Sequence, residues 1–270
     1  HIFYNNSFWD SPTPSGLSLS DHTAIARHVE ALMPLQTATT ANYTSYDKGI
    51  NGIIVDIAAL PAESLQAADF EFLVGNSNTL EDWTTAPEPK TIDVLPSRGD
   101  GRSDRVVLIW ADNAIEQQWL QVTVKANERT GLTDDDIFYF GNAIGESGDH
   151  SQHAIVNATD EIRARRSHSH LVDWAPLDDP CDYNRDGRVN ATDQIIARNH
   201  QTNPLTMLRL ITAPAVDAVI GEVAKQATAA SSANLAWLYE FERINTKGRP
   251  RNEATRATEA VEALLATLRP

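Results

Sequence analysis

The residues best placed to do chemistry lie in one short stretch, Asp182-Tyr-Asn184-Arg-Asp186-Gly187-Arg188-Val189-Asn190-Ala-Thr-Asp193. Oxygen-bearing side chains stand at positions 1, 3, 5, 9 and 12 of this stretch, with glycine at position 6. A tight loop with this spacing turns alternate side chains inward, and a hard divalent cation wants about six to eight oxygens around it. Glycine at position 6 takes the backbone conformation that other residues resist. The main-chain carbonyl of Arg188 supplies position 7. The predicted ligand set is therefore Asp182, Asn184, Asp186, Arg188, Asn190 and Asp193, with aspartate standing where glutamate is usual at position 12. Calcium is the expected ion, and three carboxylates more than neutralise it.

A second copy lies upstream. Val156-Asn-Ala-Thr-Asp160-Glu-Ile-Arg-Ala-Arg165 repeats Val189-Asn-Ala-Thr-Asp193-Gln-Ile-Ile-Ala-Arg198 at eight of ten positions, 33 residues earlier. Projecting the loop back puts Asp149, Ser151, His153, the carbonyl of Ile155, Asn157 and Asp160 at the ligand positions. This set is poorer: Ala154 replaces glycine, and His153 replaces a carboxylate although imidazole suits calcium badly. Three outcomes stay open, namely weak binding, an oxygen borrowed from a residue such as Glu146, or no metal.

Two loops of this EF-hand type, each opening a helix, resemble a type I dockerin. The wording Val-Asn-Ala-Thr-Asp and Ala-Arg-Asn is most similar to the planctomycete-type dockerin regions of secreted and surface bacterial proteins. Asn42-Tyr-Thr-Ser-Tyr46, Gly49-Ile-Asn-Gly52, Gln118-Trp-Leu-Gln-Val-Thr-Val124 and Phe138-Tyr-Phe-Gly-Asn-Ala143 are similar to the β-rich module that accompanies it there. The resemblance implies a non-catalytic domain that folds around calcium and docks on a cohesin-like protein module through its loop–helix faces. It puts Ala158-Thr159 and Ala191-Thr192 at equivalent positions on two such faces.

The elements that must hold these loops are read from apolar periodicity. Between Gly49 and Phe140 short alternating runs centre on Ile53–Ile57, Phe70–Val74, Ile92–Val94 and Leu120–Val124, and Ile137–Phe140 closes the series. Arg105–Trp110 is nearly all apolar, as expected of a central strand covered on both faces; Gly, Asn, Asp and Pro punctuate the runs. Ile2–Tyr4 and Tyr43–Tyr46 are candidate edge strands, and a short helix is expected around Ala24–Leu32. Beyond residue 213 the chain is Ala-rich, with helical stripes such as Ala257, Val261, Leu264, Leu265 and Leu268. The expected fold is α+β: an antiparallel β-sandwich over 1–140, a dockerin-like pair of calcium loop–helix motifs over 141–212, and a helical tail over 213–270.

Composition narrows the function. The 270 residues carry 37 acidic against 22 basic side chains, a net charge of −15, which disfavours nucleic acid or an anionic membrane as partner. No apolar run approaches the ~18 residues of a membrane span. A start at His1 is expected of a processed or excised chain, and the single cysteine, Cys181, precludes an internal disulfide and is expected as buried filler. His150, His153, His168 and His170 cluster around the first loop, but at spacings that fit no standard zinc site. Trp119 is expected to point off the buried face of its strand, near Trp83 and Trp110 in sequence; such rings can stack on sugars or pack across strands. No nucleophile elbow, phosphate loop or zinc-protease motif occurs. The expectation is a secreted, calcium-stabilised, non-catalytic assembly protein of the cell surface. Its partners would be a cohesin-like module or copies of itself, joined through a free N-terminal strand at Ile2–Tyr4 and through the tail. The alternative is the C-terminal, polysaccharide-binding and docking portion of a larger glycan-active enzyme.

Overall fold

The computed structural model describes residues 1–10, 21–169 and 173–214. Residues His1–Val216 cluster as one compact unit. The expected helical tail lies outside the described residues except for Ala213 and Pro214, as does His170.

Among the described residues the fold is mostly β, with two sheets and two α-helices. Its strands are β1 (Tyr43–Thr44), β2 (Gly52–Ile57), β3 (Phe70–Gly75), β4 (Thr84–Thr85), β5 (Thr91–Leu95), β6 (Asp104–Ile109), β7 (Trp119–Val124) and β8 (Asp136–Asn142); the helices are α1 (Ala158–Arg166) and α2 (Ala191–Asn199). One sheet runs β1-β8-β7-β3-β4 and the other β2-β6-β5. Pairing is antiparallel except between β1 and β8, which run parallel. An all-antiparallel arrangement is thus corrected at one edge.

Period-two alternation brings the sheets together over a shared core. Ile53, Ile57, Val106, Leu108 and Trp110 meet Phe70, Phe72, Val74, Leu120, Val122, Val124, Phe138 and Phe140 there. The ring of Trp110 meets Phe72 edge-on at 5.2 Å, and its indole N–H donates to the carbonyl of Pro87 at 2.8 Å.

Three local expectations are corrected. The stretch around Ala24–Leu32 forms no α-helix: a single 3-10 turn covers Asp21–Ala24, and Ile25 and Leu32 make isolated bridges to Phe3 and Tyr139. Those long-range bridges outcompete weak helical periodicity. The N-terminal strand is not free. Ile2 bridges Ile53, the terminal amino group donates to the Ile54 carbonyl at 2.8 Å, and Ile2, Phe3 and Tyr4 are buried. Exchange of that strand with a neighbour would first have to remove it from its own sheet. Finally, Trp119 is wholly buried, because residues 207–213 return across the sheet and the Arg209 carbonyl accepts its indole N–H at 2.7 Å. Trp83 and Trp110 are buried as well, so none of the three offers a sugar-stacking platform.

The sheets also enclose a charge pair. Arg105 on β6 stands opposite Asp56 on β2, and its Nε and Nη2 donate to the two carboxylate oxygens, each at 2.7 Å. The Arg105 side chain is 2% exposed and that of Asp56 is 15% exposed. A two-bond fork in that environment is strongest as a pair, since deleting Asp56 leaves the buried guanidinium beside the exposed Asp100 at 3.9 Å in place of its fork. Asp56→Ala should therefore destabilise the fold by about 3 kcal/mol, read as a lower denaturation midpoint at unchanged slope. The joint change Asp56→Leu with Arg105→Met should recover most of that loss.

Candidate functional site

The two helices begin alike. Asn157 caps α1, its side-chain oxygen accepting from Thr159 N at 2.7 Å, and Asp160 reaches back to Asn157 N at 2.8 Å. Asn190 caps α2 on Thr192 N at 2.8 Å, with Asp193 on Asn190 N at 2.9 Å. Each reciprocal cap satisfies backbone donors that a helix start leaves open and places an anion at the positive end of the helix dipole. It also fixes Asp160 and Asp193, both with no exposed surface, at the mouth of the loop before them. The helices pack together through Ala164, Ile196 and Ala197, and Glu161 on α1 bridges Arg165 and Arg198.

The second loop is a ladder of side-chain-to-backbone bonds. Asp182 accepts from Asp186 N at 3.2 Å and Gly187 N at 3.0 Å. Asn184 accepts from Asp186 N at 3.1 Å, and Asp186 from Arg188 N at 2.9 Å. Asp193 closes the loop on Tyr183 N at 2.8 Å. Gly187 has φ +79°, and a side chain there would also meet Trp174 and Phe8 at about 3 Å, so glycine is required. Each bond orients one lone pair of a carboxylate or amide oxygen and leaves others for a cation. Burial pushes the Asp182 carboxyl up to about 7, against the opposing pull of the Arg185 guanidinium, and burial also raises that of Asp193.

This loop is fastened to the sheets. Asp47 N donates to the Tyr183 carbonyl and Phe8 N to the Arg185 carbonyl, each at 2.9 Å. Arg185, 2% exposed, lies over the Tyr4 ring at 4.7 Å and donates to Ser45 Oγ and to the Asp179 carbonyl. The sequence reading missed Arg185 because an arginine between ligand positions looks like a solvated loop residue.

The first loop differs. Asp160 Oδ1 accepts from Ser147 N at 2.9 Å and Ser147 Oγ at 2.7 Å. Ser147 thus occupies the place of Tyr183 in the second loop, and Glu146 the place of Asp182. The 33-residue offset, which puts Asp149 at position 1, holds near the helix, while this closing bond enters the loop ahead of Asp149. The geometry draws Glu146, Asp149 and Asp160 together, with ligand oxygens all within 4.8 Å of one another, and they are the acidic group of this kind among the described residues. Glu146 is 2% exposed; Tyr43 Oη and Gly148 N donate to its Oε2, while its Oε1 has no partner. Burial raises its carboxyl to about 7 and raises Asp160 too.

The other projected ligands of this loop stand aside. His153 stacks flat on His150 at 3.9 Å, and its Nδ1 accepts from Ile155 N at 3.4 Å, the role Asp186 plays toward Arg188. Ser151 is exposed, and the Ile155 carbonyl accepts from Asn157 Nδ2 at 3.1 Å. The donor set that remains is all oxygen, the kind that suits a hard divalent cation. The tighter acidic cluster therefore sits in the loop with the poorer sequence.

Ala158, Thr159, Ala191 and Thr192 are all exposed on the first turns of their helices. One and two positions beyond Asp160 and Asp193 the repeat continues, and Ile162 and Ile195, at equivalent places, are 39% and 50% exposed. Cys181 is buried and free, packed with Ile144, Tyr183 and Val189.

Because Arg185 joins the second loop to Tyr4 and Ser45, Arg185→Ala should cost about 2 kcal/mol or more from lost charged hydrogen bonds and lost packing. Arg185→Lys should not restore it, since an ammonium cannot reproduce the planar fork. Thermal melts in chelator and in calcium check this, with a loss expected in both. Comparison with known proteins leaves the chain on its own terms: no family model, no curated protein and no solved structure matches it.

Proposed function

We propose that this chain is a secreted, calcium-stabilised, non-catalytic assembly protein of the cell surface, in which a β-sandwich carries a dockerin-like pair of loop–helix units that dock on a protein partner. The observation that carries the reading is the duplicated unit itself. Two buried aspartates, each closing an oxygen-rich loop and each locked into an asparagine-capped helix start, form the same bonds in both copies. Carboxylates so buried need a cation near them, and oxygen donors select a hard one.

Docking is supported by what the helices leave outside. Ala158, Thr159 and Ile162 share one face of α1, and Ala191, Thr192 and Ile195 share the matching face of α2, by the three- and four-residue spacing. Small residues with one exposed isoleucine suit close approach of another protein surface, a cohesin-like module or a second copy. Polysaccharide is the weaker partner, given the buried tryptophans of the sheets.

Two measurements test this. Calcium at about a hundredfold excess over Kd should stabilise the fold by about 2.7 kcal/mol, so chelation lowers the melting temperature. Asp186→Ala should remove much of that difference, and His153→Ala should change it little. Identical melts in calcium and chelator would end the calcium reading. For docking, the chain should bind an immobilised cohesin module or an immobilised copy of itself in a calcium-dependent way. The pair Ile162→Glu and Ile195→Glu should then weaken binding at least tenfold at unchanged melting temperature. Binding that ignores both calcium and these substitutions would argue for a different surface.

A further inference from the structure

We infer that the first loop is an expanded calcium site entered at Glu146, three residues before the position its repeat predicts, and that β1 holds this ligand in place through Tyr43. The inference deepens the calcium reading above and rests on it.

The register comes from the hydrogen bonds. In the second loop the closing Asp193 accepts from the backbone of residue 183, directly after Asp182. In the first loop the closing Asp160 accepts from the backbone of residue 147, directly after Glu146. Glu146 lies 14 residues before Asp160, whereas Asp182 lies 11 before Asp193. The three extra residues are accommodated in the turn that contains Gly148, φ +68°, and they carry Asp149 inward as an additional carboxylate.

Two oxygens point to a ligand. Glu146 Oε1 and Asp149 Oδ1 are both buried and neither has a hydrogen-bond partner, while the other carboxylate in the group, Asp160, has donors on both oxygens. Two unpartnered anionic oxygens beside a third carboxylate repel one another unless a cation lies between them. Three carboxylates favour calcium over magnesium, which keeps most of its water and binds through fewer protein ligands.

The link to the sheet is one bond. The Tyr43 hydroxyl of β1 donates to Glu146 Oε2, which engages that oxygen and leaves Oε1 without a partner in the group with Asp149 and Asp160. Tyr43 is a positioning residue, and orienting donors of this kind typically matter about 10- to 100-fold in metal affinity.

Calcium titration of the full chain by calorimetry, with terbium luminescence as a second readout, tests the assignment. Wild type should bind two ions; Asp186→Ala should leave one; adding Glu146→Gln to Asp186→Ala should leave none, whereas adding His153→Ala should leave one. Tyr43→Phe should weaken the Glu146 site about tenfold and spare the other. Glu146→Gln should melt no lower than wild type in chelator, because it removes a buried charge, and that separates lost metal from lost fold. If one ion binds and is lost with Asp186→Ala but not with Glu146→Gln, the expanded site is wrong and the calcium reading of the second loop stands. If one ion binds and is lost only with Glu146→Gln, the expanded site stands and the second loop does not bind. If none binds, both fall.

Discussion

Buried negative charge is the constraint that organises this molecule. Asp160, Asp182 and Asp193 have no exposed surface and Glu146 almost none, yet none of them is paired with a basic side chain within salt-bridge distance among the described residues. The chain meets that cost first with backbone amides. Helix starts, loop N–H groups and the Ser147 hydroxyl all aim donors at these carboxylates. Amide dipoles soften the cost of burying an anion without cancelling its charge, so a residual negative field remains around these loops.

The sheets are built on the opposite solution. Asp56 is neutralised in place by Arg105, so that half of the molecule carries its internal charge with a partner. The two halves meet where Arg185 crosses from the second loop onto Tyr4 and Ser45, and where Tyr43 reaches Glu146. Loop conformation and sheet edge are thereby mechanically joined. Tyr4, covered by Arg185, also packs the core, where it meets Tyr46 edge-on at 5.1 Å.

Much of this was legible in the sequence wherever one physical rule acted alone. Apolar runs located all the longer strands within a few residues: alternating ones where one face dominates the core, and the nearly unbroken Arg105–Trp110 run for β6, which is covered on both faces. The Val-Asn-Ala-Thr-Asp repeats located both helix starts, because capping is a short-range interaction. Legibility failed where distant segments decide the outcome. Residues 24–32 lose helical structure to bridges with Phe3 and Tyr139. Trp119 looks outward by alternation until a segment 90 residues later covers it. At the entrance of the first loop the repeat brings Asp149 and Asp160 together as its spacing predicts, but the bond from Ser147 N to Asp160, which no repeat pattern shows, is a long-range contact of the folded loop. Glu146 was visible as an oxygen to borrow, but its place at the head of the loop was not.

The strap formed by residues 207–213 has a consequence for how the chain is made. It bonds to Asn76 and Asn78 next to β3, to Trp119 on β7, and to Leu35–Ala38 near the start of the chain. These partners wait for their last neighbour until almost the whole unit has been synthesised. Contacts of such long sequence separation slow folding, because loop closure must precede the reward. Until residue 213 emerges, the nascent β-sheet presents an uncovered tryptophan and an unpaired edge at Thr37. The order of synthesis therefore makes the loop–helix region and its strap the final clasp of a fold whose sheets are laid down first.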